Sequence, residues 1–160
     1  MDGPALHPDV APLAFLLGSW MGEGKGFYTT ISPFEYGEEI RVSHVGKPFL
    51  AYTQRTWALD DGRPLHSETG FWRMGGADRV ELVVAHPNGH AEVSEGELHG
   101  TSITLVSTAM SPTPTAKQVE VLERDVHVSG EIMTYELRMA AVGRPLEGHL
   151  QAELRLGATH

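Results

Sequence analysis

From Leu16 onward the chain reads with a period of two. Gly18, Trp20, Gly22, Gly24 and Gly26 occupy alternate positions in Leu16–Tyr28, so one face of this segment carries almost no side chain apart from the indole. Glycine weakens a strand unless another group must approach its backbone or the strand must coil sharply. Both demands arise in the first strand of a small closed barrel, where a large ring plugs one end. Trp20 is the expected plug, and Phe27, Tyr28 and Ile31 argue against a flexible linker. Residues 4–18 hold the only plausible helical stretch, a short turn or helix around Pro8–Leu13 that can do no more than cap one end.

Strand follows strand after Ser32-Pro33. Tyr36–Val45 alternates Ile40, Val42 and His44 against Glu39, Arg41 and Ser43. Phe49–Leu59 is rich in Tyr, Thr and Trp, and Asp60-Asp61-Gly62 turns it into Leu65–Met74. Arg79–His86 sets Val80, Leu82, Val84 and His86 on one face, and Pro87-Asn88-Gly89 is a turn. His90–Leu98 and Ser102–Thr108 precede the longest loop, Met110–Thr115. Ala116–Val128, Ile132–Ala141 and Leu146–Leu156 complete the series. About ten strands joined by short turns predict an all-β, up-and-down antiparallel barrel, a single domain over residues 1–160. Closure brings the last strand beside the glycine-rich first one.

A barrel of that size can hold a ligand. Its inward positions include Ile40, Val42, His44, Val80, Leu82, Val84, His86, Leu137 and Met139, an apolar lining with isolated imidazoles. That suits a flat, greasy molecule needing one or two polar contacts. The last strand poses a phase problem. Leu150, Ala152, Leu154 and Leu156 share one face, which turns His149 outward unless Gly148 makes a bulge or the strand starts only at Leu150.

Composition narrows the functions. The formal charge of −9 disfavours nucleic acid and acidic membrane surfaces, and no apolar run is long enough to span a bilayer. No cysteine is present, so disulfides and thiolate metal sites are excluded; with no recognisable leader, a cytoplasmic location is expected. Nine histidines are scattered without tight zinc spacing. No GxSxG, P-loop or dinucleotide fingerprint occurs, and Glu38-Glu39 and Glu95/Glu97 read as solvated faces.

The ordered blocks GSWMGEGKGFYTTI, PFEYGEE, HVGKPFLAYTQRTW, PLHSETGFWR, ELVVAHPNG and MAAVGRPLEGHLQAEL resemble the nitrobindin family in its actinobacterial branch, from Leu16 to Leu154. The resemblance implies a ten-stranded, fatty-acid-binding-like barrel that binds one haem b per chain near one end, often as a homodimer. It implies His149 as the proximal iron ligand, hence a turn or bulge at Gly148. Thr30 matches a haem-contacting position, and Lys117 is the propionate partner, with Arg124 as its competitor. Pocket positions are Leu65, His66, His86 and Met139, joined by His44 through its strand phase. The implied chemistry is isomerisation of peroxynitrite to nitrate at ferric iron, with nitric oxide as a further ligand. The alternative from the barrel pattern alone is a non-catalytic carrier of an apolar small molecule.

Overall fold

Close backbone approach explains the glycine stripe. Gly24 lies beneath the Tyr36 ring and against the Gln151 carbonyl, and Gly26 lies beneath the Phe34 ring, so a Cβ at either would fall inside van der Waals contact. The computed structural model describes residues 3–28, 31–141 and 147–157. Ten strands run in chain order: β1 (Gly18–Tyr28), β2 (Ile31–Ser43), β3 (Leu50–Ala58), β4 (Pro64–Gly76), β5 (Arg79–Ala85), β6 (His90–His99), β7 (Ser102–Pro112), β8 (Val119–Ser129), β9 (Ile132–Ala141) and β10 (Glu147–Leu156). Each pairs antiparallel with its sequence neighbour, and β1 pairs with β10 to close the barrel. The expected meander is correct in count and order. One connection is displaced: β7 runs on to Pro112 against the start of β6 and β8 starts only at Val119, so the expected loop at Met110–Thr115 moves to residues 113–118.

A 3-10 helix, Pro8–Leu16, buries Val10, Leu13 and Leu16 across one end. Trp20 is 1% exposed beneath it and donates its indole N–H to the Leu16 carbonyl at 2.9 Å. Ile40, Val42, Leu50, Trp72, Leu82, Ile103, Leu105 and Leu154 fill the same end as one apolar cluster. No helix among the described residues is long and apolar enough to cross a membrane.

Strand direction divides the inward residues into two ends. β2 runs toward the plugged end and finishes at Ser43, so His44 falls there, with its Nδ1 accepting from the Gly46 N–H at 3.1 Å. The starts of β4, β6, β8 and β10 and the ends of β3, β5, β7 and β9 meet at the opposite end, which stays open.

Candidate haem site

A cavity of about 980 Å³ opens at the unplugged end, and its lining reaches down to Leu16, Val42 and Trp72 at the plug. Its volume is at the top of the ~300–1,000 Å³ range of small-molecule pockets. At its mouth the apolar Phe34, Leu59, Leu65, Met110, Val119, Leu137, Met139 and Leu150 alternate with the polar Ser32, Glu35, Asp60, Arg63 and Asn88. Leu65, His66, His86 and Met139 all line it; His44, at the plugged end, does not. The period-two phase was carried one residue past the end of β2 to reach His44 and could not tell which end of the barrel that is.

His149 lies 7% exposed on the cavity wall. Along β10 the pairing steps from Gly148↔Arg138 to Leu150↔Leu137, so His149 is an extra residue opposite a single step of β9. A bulge of this kind lets two successive side chains face the same way, and both His149 and Leu150 line the cavity. The phase problem is solved by an irregularity at His149 itself. Burial, with a smaller contribution from the charge of His66, lowers its pKa to about 4. At neutral pH the imidazole therefore keeps a lone pair.

Beneath the mouth lies a layer that the sequence reading missed. Arg124 of β8 forks onto Glu92 of β6, Nη2 to Oε1 at 2.7 Å and Nε to Oε2 at 3.1 Å, while Nη1 reaches Glu68 of β4 at 3.1 Å. Tyr52 donates to Glu68 Oε2 at 2.9 Å, and Ser94 donates to Glu92. Burial would raise both carboxyls, but the Arg124 charge and the surrounding hydrogen bonds outweigh it. Glu68 is held well below the usual range and Glu92 lies at about 2. Glu38 has no cation in contact. Burial pushes its pKa up to about 7 despite hydrogen bonds from Tyr135 at 2.6 Å and Gln54 at 2.7 Å. Glu38 is fully buried, so the solvated-face reading was wrong for it. The available signal was register: Glu68 shares its face with Trp72, Glu92 with Ser94, and Glu38 with Ile40.

The remaining expected residues fall as follows. Thr30 lies outside the described residues. Lys117 is exposed in the β7–β8 connection at the open end, where its carbonyl is bonded by His90 Nε2, and its side chain is absent from the cavity lining. Arg124 lies inside, engaged by two carboxylates. His90, not singled out earlier, lines the cavity with its buried Nδ1 lacking a hydrogen-bond partner.

The model of the family described as the THAP4-like, heme-binding beta-barrel domain matches residues 9–155. The chain belongs to this family. Peroxynitrite isomerase 2 of Mycobacterium marinum is 51% identical over 154 residues, covering 94% of this chain and 96% of that protein. The peroxynitrite isomerase of Nocardia farcinica is 50% identical over 155 residues, covering 94% of this chain and 92% of its own. The crystal structure of Rv2717c from M. tuberculosis superposes with a TM-score of 0.90 at 46% identity, covering 96% of this chain and 100% of that one. Haem binding is thus the family property against which this cavity is to be tested. The residues fit: a roomy cavity with apolar walls and a polar rim suits a flat macrocycle bearing carboxylates, and a neutral, buried imidazole on its wall is a suitable donor for iron.

Proposed function

We propose that this chain binds one haem b through His149 and uses it to isomerise peroxynitrite to nitrate. The observation that carries the reading is the His149 bulge, which turns a buried, neutral imidazole into the cavity at the one place where alternation would point it to solvent. The activity printed in the names of relatives about 50% identical over nearly the whole chain supports the substrate. Haem, when bound, would supply an iron centre able to promote the rearrangement of peroxynitrite to nitrate. His149 would hold the group from β10, with Met139 of β9 and Leu150 of β10 beside it in the cavity lining and Leu65 of β4 across the mouth. His66 and His86 stand on the opposing wall, since β4 and β5 lie across the closed sheet from β10. Lys117 remains the propionate partner at the open rim, because Arg124 is already held by Glu68 and Glu92. Nitric oxide is a second small ligand of the same site. The carrier alternative fares worse: the charged layer of Glu68, Glu92 and Arg124 is a poor surface for an apolar tail.

The test is reconstitution with haem, followed by stopped-flow measurement of peroxynitrite decay and of nitrate yield. Wild type is expected to take up one equivalent and accelerate nitrate formation. His149→Ala is expected to lose the imidazole-ligated absorption band and the acceleration together. Unchanged haem uptake and rate in His149→Ala would refute the assignment.

A further inference from the structure

The wall facing β10 carries a second constellation that haem ligation leaves unused. His66 and Glu68 share the inward face of β4, and His86 follows the end of β5. Three of their ligand atoms converge. His66 Nε2 lies 3.2 Å from Glu68 Oε1, His86 Nδ1 lies 3.5 Å from His66 Nε2, and His86 Nδ1 lies 3.7 Å from Glu68 Oε1. Donors held at about 2.1 Å by a tetrahedral metal ion sit roughly 3.4 Å apart. The triangle is therefore already close to one face of such a site.

Hydrogen bonding alone explains only part of it. The His66–Glu68 contact is an ordinary bond, but the His86 contacts at 3.5 and 3.7 Å are too long to hold that ring nitrogen. What fixes His86 lies on its other side, where Nε2 meets Glu92 Oε1 at 2.8 Å. An ionised carboxylate is acceptor-only, so Nε2 carries the hydrogen and a neutral His86 turns its Nδ1 lone pair toward the centre of the triangle. Metal-ligating histidines are commonly oriented in this way, by a carboxylate on the far nitrogen, and ligating carboxylates are themselves hydrogen-bonded. Glu68 meets that condition through Tyr52 and Arg124 on its second oxygen. Charge points the same way. With His66 and His86 neutral, as metal ligation requires, the two buried carboxylates Glu68 and Glu92 share the guanidinium of Arg124, leaving one negative charge for a cation to offset.

We propose that His66, Glu68 and His86 form a binding site for a divalent first-row transition metal, with zinc(II) as the expected ion. Two imidazoles and a carboxylate are a donor set that takes zinc or iron(II), leaving a further position open to the cavity. The site stands on β4 and β5 and does not depend on haem or on His149.

The experiment titrates zinc(II) against a chromophoric chelator, using haem-free and haem-loaded protein, with cobalt(II) as a spectroscopic probe. Wild type is expected to bind one zinc per chain and to give the intense visible bands of low-coordinate cobalt(II). His66→Ala or His86→Ala is expected to weaken zinc by about 100-fold or more, and Glu92→Gln by about 10- to 100-fold through the lost orienting bond. His149→Ala is expected to bind zinc as wild type does, which separates this site from the haem reading. His66 is about one-third exposed, so its removal keeps the test available if His86→Ala fails to fold by circular dichroism. No stoichiometric uptake by folded wild type, or uptake unchanged in both histidine variants, would overturn the proposal. So would uptake lost only in His149→Ala.

Discussion

Two buried groups titrate in opposite directions, and their opposition can be measured. Burial raises the Glu38 pKa from 4.5 to about 7, and lowers that of His149 from 6.5 to about 4. Between pH 4.5 and 7 the folded state keeps the Glu38 proton that the unfolded chain has lost, so Glu38 makes stability fall as pH rises. Between pH 4 and 6.5 the unfolded chain protonates His149 and the folded state does not, so His149 makes stability rise with pH. Each displacement is worth about 3 kcal/mol over its full span. From pH 5 to 6.5 linkage gives a loss of about 2 kcal/mol from Glu38 and a comparable gain from His149. Glu68 and Glu92, held low, titrate beneath this window. The pair therefore cancels in haem-free wild type, and single variants uncover each slope. Urea unfolding from pH 5 to 6.5 is expected to show Glu38→Gln gaining about 2 kcal/mol and His149→Leu losing about as much, each measured against wild type at the same pH values. Identical pH profiles in all three proteins would refute the assigned protonation states.

On the proposed ligation by His149, its depressed pKa bears on haem uptake: at pH 5 an ordinary imidazole is only about 3% neutral, whereas His149 is about 90% neutral. Haem affinity of the apoprotein is expected to hold between pH 7 and 5, followed by the imidazole-ligated absorption band; a fall of about 30-fold would contradict it. Arg124→Met leaves Glu68 and Glu92 buried without their cation, and is expected to cost about 3–5 kcal/mol in urea unfolding at pH 7. Part of that loss is expected to return at lower pH as the carboxyls protonate. Gly24→Ala drives a methyl into the Tyr36 ring and the Gln151 carbonyl, and is expected to cost roughly 1–3 kcal/mol by thermal unfolding.

The architecture was legible because alternation is a local property. Gly22, Gly24 and Gly26 announced close approach, although only the fold identifies Tyr36 and Phe34 as two of the groups that approach. Period two assigns a face, which correctly turned His86 and Met139 inward. It does not assign a level along the barrel axis, which is why His44 was placed in a cavity that opens at the other end. His149 defied alternation for a different reason. A bulge is a single-residue slip against a partner strand, and a linear sequence contains no partner. Strand phase alone puts Glu38, Glu68 and Glu92 on the inward face, but one strand at a time could not show what makes a carboxylate tolerable there. A buried carboxylate is tolerable only with its counter-groups, and those arrive from strands far away in sequence.

That dispersed layer also answers a physical question, which is why the barrel does not simply fill. An interior of leucine and valine closes up on its voids, as it does around Trp20 and Leu154 at the plugged end. Halfway along, Arg124 spans from β8 to Glu92 on β6 and Glu68 on β4, and Tyr135 spans from β9 to Glu38 on β2. These bonds join walls that are not neighbours in the sheet, so the opposed strands keep their separation. Their length and direction brace the cavity part-way down, and apolar packing or collapse there cannot advance without stranding a charge. The ion pairs therefore need not stabilise the fold relative to an apolar interior of the same volume. They hold open the space above them, where His149 faces His66 and His86.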